Sequence, residues 1–194
     1  MGLLVMIVGL VLFLGVHLVT TRRETRARLI AAAGEGGYKV GYSLASVVGL
    51  ALIVWGFATY RATGWIDVWY PPRWMKHVTI ALMLPAVILL VEAYIRGRIY
   101  TAVKHPMLTA VKLWAAAHLL SNGDLGSIVL FGAFLAWAVI DRISLKRRSD
   151  PGSPPIPVGG IGNDAIAVAV GVVVYLALGY VFHPVVIGVP VFGA

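Results

Sequence analysis

KHPMLTAVKLWAAAHLLSNGDLGSIVLFGAFLAWAVIDRISLKRR, residues 104–148, is the stretch that decides the fold. Two apolar segments stand on either side of the turn dipeptide Asn122-Gly123. Pro106 suits the first position of a helix, because that position needs no N–H partner, and it biases His105 away from helical geometry. The stretch therefore predicts one helix from Pro106 that ends at Asn122-Gly123, and a second from Leu125 to about Ile140.

The first of these helices carries an unusual number of polar side chains for an apolar segment. His105 lies at its entrance, Lys112 near its middle, and His118 shares a helical face with Asn122 four residues later. About 15 residues give a length of roughly 22 Å, which is short for a hydrocarbon core of about 30 Å. We therefore expect this helix to serve a function besides crossing a membrane.

The composition of the chain predicts an integral membrane protein. Of 194 residues, 60% are hydrophobic and only 12% are charged. That leaves too little polar surface to cover a soluble globule. The absence of cysteine excludes disulfides, thiolate metal sites and cysteine nucleophiles. The net charge is +8, and the basic residues lie in segments that flank apolar stretches. The positive-inside rule accounts for basic residues at such places, so we expect no nucleic-acid partner.

Apolar stretches predict an all-α protein with about six transmembrane helices. They lie at about 1–19, 43–60, 77–96, 106–121, 125–140 and 165–182. The expected domain organisation is a five-helix core (1–148), a Pro/Gly linker (149–164), and a sixth helix with the C-terminal tail (165–194). Asn163 or Asp164 is expected to cap the sixth helix, and His183-Pro184 to end it. Residues 22–42 are expected to form a basic inner loop.

Loop charges predict the orientation of these spans in the membrane. Basic residues in the predicted inner loops are Arg22, Arg23, Arg26, Arg28, Lys39, Arg96, Arg98, Lys104, Arg142, Lys146, Arg147 and Arg148. The predicted outer loops hold only Arg61, Arg73 and Lys76. By the positive-inside rule, both termini face outside.

One charged residue within the apolar segments calls for a partner. Glu92 has Arg96 four residues later and is expected at about the depth of Lys112 on the next helix. Opposite charges within a membrane are expected to pair. The sequence therefore predicts an ion pair of Glu92 with Arg96 or with Lys112.

No sequence motif of a common enzyme class is present. The chain lacks a P-loop, a GxGxxG motif, an HExxH motif and a Ser-His-Asp arrangement, and its acidic residues are too scattered for a catalytic pair. Four histidines, His17, His77, His105 and His118, lie in spans or at span ends. Imidazole is a good ligand for zinc, copper and iron, so a metal or haem site is the main functional hypothesis.

Three segments resemble one family of membrane proteins. LFLGVHLV, YSLASVVGLALIVWG, and KHPMLTAVKLWAAAHLLSNGD followed by LAWAVIDRISLKRR are similar to the NnrU family of bacterial membrane proteins, over residues 3–148. This family is in turn similar to plant ζ-carotene isomerase, a membrane protein with a bis-histidine haem b. The resemblance implies that His17 and His118 are the iron ligands and that His105 is the histidine of the HP motif. One departure is Leu18, where a serine is usual.

Helix depth leaves other ligand pairs open. Counting 1.5 Å per residue, His17 lies about 7 Å from the inner boundary, whereas His118 lies about 18 Å beyond Pro106. Depth alone would pair His17 with His105, and His118 with His77. The resemblance favours His17 with His118, and gives His105, Lys112 and Asn122 the role of supporting residues that bond to a ligand or a haem propionate.

The resemblance also implies a function and a location. The protein is expected to lie in the bacterial inner membrane, in contact with lipid, and to bind haem b. One axial histidine would leave the iron on reduction by an unknown electron donor. A polyene or nitric oxide would then bind as ligand. The protein would then be a cis-trans isomerase or act in nitrite and nitric oxide reduction. Two alternatives are a non-enzymatic haem or assembly partner of respiratory enzymes, and an isoprenylcysteine-type methyltransferase, whose C-terminal catalytic segment this chain lacks.

Overall fold

The chain is all-α in a computed structural model that describes residues 1–148 and 157–192. Its helices are α1 (Gly2–Val19), α2 (Arg23–Thr63), α3 (Met75–Glu92), α4 (Arg98–Val103), α5 (Pro106–Ser121), α6 (Leu125–Lys146), α7 (Ile161–Ala177) and the π-helix Leu178–Ile187. Among these described residues, five helical segments are long and apolar enough to cross a membrane, and the π-helix belongs to the fifth. With 16 residues, α5 is shorter than these five.

The helices group into two compact units. The first comprises Met1–Tyr70 and Asn122–Arg148, and so contains α1, α2 and α6. The second comprises Pro71–Ser121 and Ser149–Ala194, and contains α3, α4, α5, α7 and the π-helix. In the predicted linker 149–164, residues 149–156 lie outside the part of the chain that the structure describes.

Close backbone contact joins α1 to α2 in the first unit. A Cβ atom at Gly9 would lie 2.6 Å from the backbone nitrogen of Ile53. A Cβ atom at Gly56 would collide with the backbone of Met6, a residue with no solvent exposure. Only glycine allows this approach, so the helices pack backbone to backbone along the glycine positions.

The connection after α2 is fixed to the start of α6. The buried Tyr60 hydroxyl accepts a hydrogen bond of 3.0 Å from the Ile66 N–H, and the Ile66 carbonyl accepts one of 2.9 Å from Leu125 N–H. Asp124 has 1% exposure and caps α6 by accepting a bond of 2.9 Å from the Ser127 N–H. The connection thus has defined backbone partners, while Trp65 and Trp74 are exposed.

In the second unit, α3 is the central helix, with α5 and α7 packed against it. The Thr79 hydroxyl donates to the Ala117 carbonyl at 2.8 Å, and the Tyr175 hydroxyl donates to the Ile80 carbonyl at 3.1 Å. A Cβ atom at Gly171 would lie 2.9 Å from the Ile88 Cα atom. The backbones of α7 and α3 therefore approach each other closely at Gly171.

The predicted ion pair of Glu92 is wrong. Its carboxylate has no exposure and accepts hydrogen bonds from the N–H groups of Gly97 at 2.6 Å and Tyr100 at 2.9 Å. Among the described residues it forms no ion pair with Arg96 or Lys112, and the Arg96 guanidinium instead lies 4.6 Å from the Tyr100 ring centroid. The chain turns directly after α3, which brings unpaired N–H groups to the carboxylate.

Two predicted boundaries are also corrected. Residues 23–42 are helical rather than a loop, with a break at Gly34, where φ is 71° and ψ is 164°. The helix α7 begins at Ile161, so Asn163 and Asp164 lie in its first turn and do not cap it. Their side chains bond elsewhere: Asn163 Nδ2 donates to the Arg96 carbonyl at 2.9 Å, and Asp164 Oδ1 accepts from Ile99 N–H at 3.0 Å.

The last helix continues through His183-Pro184, where the sequence predicted its end. A proline inside an α-helix removes one hydrogen bond and places its ring against the carbonyl four residues earlier. Here the segment Leu178–Ile187 is a π-helix with Pro184 inside it. Its wider turn replaces the α-helical pattern of hydrogen bonds, which allows the helix to reach Ile187.

Candidate functional site

His17 lies among aromatic rings in the first unit. Its ring centroid is 4.3 Å from that of Phe13, 5.2 Å from that of Tyr42 and 5.8 Å from that of Trp137. These residues come from α1, α2 and α6. The imidazole is thus surrounded by rings from all three helices of its unit, which restricts its rotation. We call Phe13, Tyr42 and Trp137 the aromatic cluster.

A hydrogen bond to the backbone sets the tautomer of His17. Its Nδ1 lies 2.6 Å from the carbonyl oxygen of Phe13, four residues earlier in α1. A carbonyl oxygen only accepts hydrogen bonds, so Nδ1 must carry the proton. In the neutral imidazole, Nε2 is then the nitrogen with the lone pair, which is the form that binds a metal.

His118 repeats this arrangement in the second unit. Its Nδ1 lies 2.8 Å from the carbonyl oxygen of Trp114, also four residues earlier, and the two rings are 5.5 Å apart between centroids. The same argument places the proton on Nδ1 and the lone pair on Nε2. An aromatic residue four positions before a histidine is thus the shared local motif of His17 and His118.

A ring neighbour of His118 was not among the residues predicted for the site. His183, in the π-helix, has its ring centroid 6.2 Å from that of His118, with 27° between the ring planes. The sequence predicted only that His183-Pro184 ends a helix. Its resemblance to the His105-Pro106 dipeptide was the signal that would have marked it.

His105 occupies the predicted place before α5. Its N–H donates to the Val103 carbonyl at 2.8 Å and its carbonyl accepts from the Thr109 N–H at 3.1 Å. The preceding residue, Lys104, has a φ of 65°, a left-handed conformation. The HP motif therefore forms a sharp entry into α5, as Pro106 predicted.

The remaining predicted site residues fall in different places. Lys112 lies within α5 and is half-buried. Asn122 belongs to the first unit and precedes Gly123, whose carbonyl accepts hydrogen bonds from Val68 N–H at 2.9 Å and Trp69 N–H at 3.0 Å. His77 is exposed at the start of α3.

The apolar surfaces of the protein include two shallow grooves. One follows residues of α1, among them Ile7, Val11 and Leu12. The other follows the end of α7 and the π-helix and includes Val181 and Phe182. None of the predicted site residues lines either groove, so both suit contact with lipid tails.

Comparison with known proteins identifies one family. The family model described as NnrU protein matches residues 5–191, which includes the C-terminal helix beyond the stretch where the sequence resemblance was noted. No curated protein and no solved structure matches the chain. Among the described residues, no group of three or more His, Cys, Asp or Glu side chains is placed to hold a metal ion.

Proposed function

The chain belongs to the NnrU family, and we propose that this membrane protein binds haem b with His17 and His118 as the axial ligands. The observation that supports the proposal is that both imidazoles form the same hydrogen bond to the backbone. Each bonds through Nδ1 to the carbonyl four residues earlier, at 2.6 Å and 2.8 Å. Each therefore has its lone pair on Nε2, the state that an axial haem ligand needs.

The surroundings of the two histidines support the same role. A hydrogen bond from Nδ1 to a carbonyl fixes the orientation of a ligating histidine and raises the basicity of its other nitrogen. The aromatic cluster packs on His17 and limits rotation of its ring. The donor set therefore fits haem iron, which accepts two neutral imidazoles.

Three polar residues are proposed as supporting groups. Lys112 supplies a half-buried ammonium group in an apolar helix, which suits the carboxylate of a haem propionate. His105 and Asn122 carry side chains that would bond to a ligand or a propionate. When bound, haem would supply an iron centre for redox chemistry with a polyene double bond or nitric oxide as ligand.

The optical spectrum of the purified protein tests haem binding. We expect the oxidised, haem-loaded protein to show a low-spin bis-imidazole spectrum. His17→Ala and His118→Ala should each give a high-spin spectrum or loss of haem, because each removes one nitrogen ligand. His77→Ala should leave the spectrum unchanged, because this side chain is exposed; a change would instead favour the pair of His118 with His77 that helix depth alone suggests. An unaltered low-spin spectrum in the His17→Ala, His118→Ala double variant would overturn the proposal.

Turnover then separates the two proposed roles. Conversion of a cis-polyene by the reduced protein would identify an isomerase. A haem protein without such turnover would instead act as a haem or assembly partner of respiratory enzymes. A lack of any Soret band, with the methyl donor S-adenosylmethionine bound instead, would favour a methyltransferase.

A further inference from the structure

Two buried hydrogen-bond donors lie among the rings around His17 in the first unit. The Nε1 atom of Trp137 and the hydroxyl oxygen of Tyr38 are buried, and neither has a hydrogen-bond partner among the described residues. The Trp137 ring is a direct neighbour of His17, with 5.8 Å between the centroids. The Tyr38 ring lies 6.2 Å from that of Tyr42, which in turn lies 5.2 Å from that of His17. Both donors therefore belong to the surroundings of this imidazole.

A buried donor without an acceptor is costly, and it is uncommon in a folded protein. The indole N–H of Trp137 can only donate, so an acceptor must come to it. Asp141, four residues later in α6, is not that acceptor, because its carboxylate pairs with the Arg148 guanidinium at 3.3 Å and accepts from neither donor. Both groups therefore suit an acceptor that comes from a bound molecule.

A positive charge beside Tyr38 indicates that this acceptor is an anion. The Arg26 guanidinium carbon lies 5.6 Å from the centroid of the Tyr38 ring, and Arg26 forms no ion pair within the described part of the chain. A straight α-helix would hold residues twelve positions apart at roughly 18 Å. The break in α2 at Gly34 brings the cation to the ring instead. A carboxylate, which is negative and only accepts hydrogen bonds, fits the donors and the cation together.

We propose that Trp137 and Tyr38 donate hydrogen bonds to the propionate carboxylates of haem b, with Arg26 as the nearby positive charge. This inference rests on the proposed function, because it takes His17 as an axial ligand, and it adds binding residues from the first unit. Haem b is apolar except for its propionates and its iron. Its ring therefore suits the aromatic cluster, and its carboxylates suit the donors. Each donor is assigned separately, so the two need not share one carboxylate.

The test compares iron-free protoporphyrin IX with its dimethyl ester, using the full-length, haem-free protein in detergent. The two compounds have the same ring, but only the acid carries carboxylates. Tyr38→Phe and Trp137→Phe each keep an aromatic ring and remove one donor. We expect each variant to bind the acid roughly tenfold more weakly, because hydrogen bonds to charged groups are strong. The ester should lose less than about threefold, because a neutral ester is a weaker acceptor.

Two exposed aromatic residues provide matched controls. Trp55 and Tyr94 are 64% and 74% exposed, so Trp55→Phe and Tyr94→Phe should leave both affinities unchanged. Thermal unfolding of the haem-free protein gives a further readout. Tyr38→Phe should unfold at the wild-type temperature or above it, since it removes an unsatisfied hydroxyl group. A lower unfolding temperature with wild-type affinity for the acid would show a purely structural role and overturn the inference.

The spectrum of the haem-loaded protein tests the axial ligands separately. Tyr38→Phe and Trp137→Phe should keep the low-spin spectrum at saturating haem, because neither residue ligates iron. His17→Ala should change the affinity for iron-free protoporphyrin IX less than about threefold, because this compound has no iron for the imidazole to bind. The proposed function can thus fail while the donors still select the acid, and the reverse also holds.

Three results of the titrations would overturn the inference, whether or not the protein ligates haem iron. The first is equal loss of affinity for acid and ester in both variants, which would indicate packing alone. The second is a wild-type chain that binds the acid no better than the ester. The third is displacement of protoporphyrin IX by an equal concentration of oleate, which would assign the donors to the carboxylate of a lipid.

Discussion

The Oε1 atom of Glu92 accepts a hydrogen bond of 2.6 Å from the backbone N–H of Gly97, in the turn that follows α3. The same atom accepts a second bond of 2.9 Å from Tyr100 N–H at the start of α4. Since Glu92 has no solvent exposure, water does not compete with these N–H groups for its carboxylate. Glu92 therefore fixes the path of the chain from α3 to α4 and so toward His105.

Removing the Glu92 carboxylate should destabilise the protein. Glu92→Ala removes the acceptor of the buried Gly97 N–H and of the part-buried Tyr100 N–H, which costs roughly 2–4 kcal/mol. Glu92→Gln retains one carbonyl oxygen and should cost less. Thermal unfolding in detergent measures both, with Glu24→Ala as the control because the Glu24 side chain is 91% exposed. Equal midpoints for Glu92→Ala and Glu24→Ala would show that these bonds contribute nothing.

The close contact of α1 with α2 predicts that two glycines of α1 differ in their tolerance of alanine. Gly9→Ala places a methyl group 2.6 Å from the Ile53 nitrogen, so the helices must separate, at about 1–3 kcal/mol. Gly15→Ala meets nothing within 4 Å and should be neutral or slightly stabilising through helix propensity. Unfolding midpoints of the two variants provide the comparison. A loss of stability at Gly15 as large as at Gly9 would contradict this packing.

Much of the fold could be predicted from the sequence because the apolar segments are long and their breakers are clear. The all-α class is confirmed, and α5 begins at Pro106 and ends before Asn122, as expected. The partners of Glu92 could not be predicted. The sequence argument compared only the depths of charged side chains in the membrane. The actual partners are backbone N–H groups, which a sequence does not display as charges.

The membrane topology stays a prediction, which rests on the excess of basic residues in the predicted inner loops. The last helical segment has 27 residues, Ile161–Ile187, enough to cross a bilayer. A reporter fused after Ala194 should therefore be active outside, and one inserted at Gly152 should be active inside. If both report the same side, the C-terminal helix does not cross the membrane.

The candidate site was only partly accessible to sequence reasoning. The local spacing from Phe13 to His17 and from Trp114 to His118 is visible in the sequence, and both histidines were named. The contact of His118 with His183 was not predicted, because it joins residues 65 positions apart through a π-helix that sequence periodicity does not indicate. Helical patterns assume 3.6 residues per turn, and a π-helix departs from that count.

The role of His105 decides between the ligand pair proposed here and the pair that helix depth favours. His105 bonds through its backbone to Val103 and Thr109, at 2.8 Å and 3.1 Å, so His105→Ala keeps the entry into α5 intact. If His17 and His118 ligate haem iron, His105→Ala should retain the low-spin spectrum, with a small shift and at most roughly a tenfold loss of haem affinity. If His17 instead pairs with His105, the same variant should become high-spin while His118→Ala stays low-spin. Spectra of the two variants therefore assign the second axial ligand.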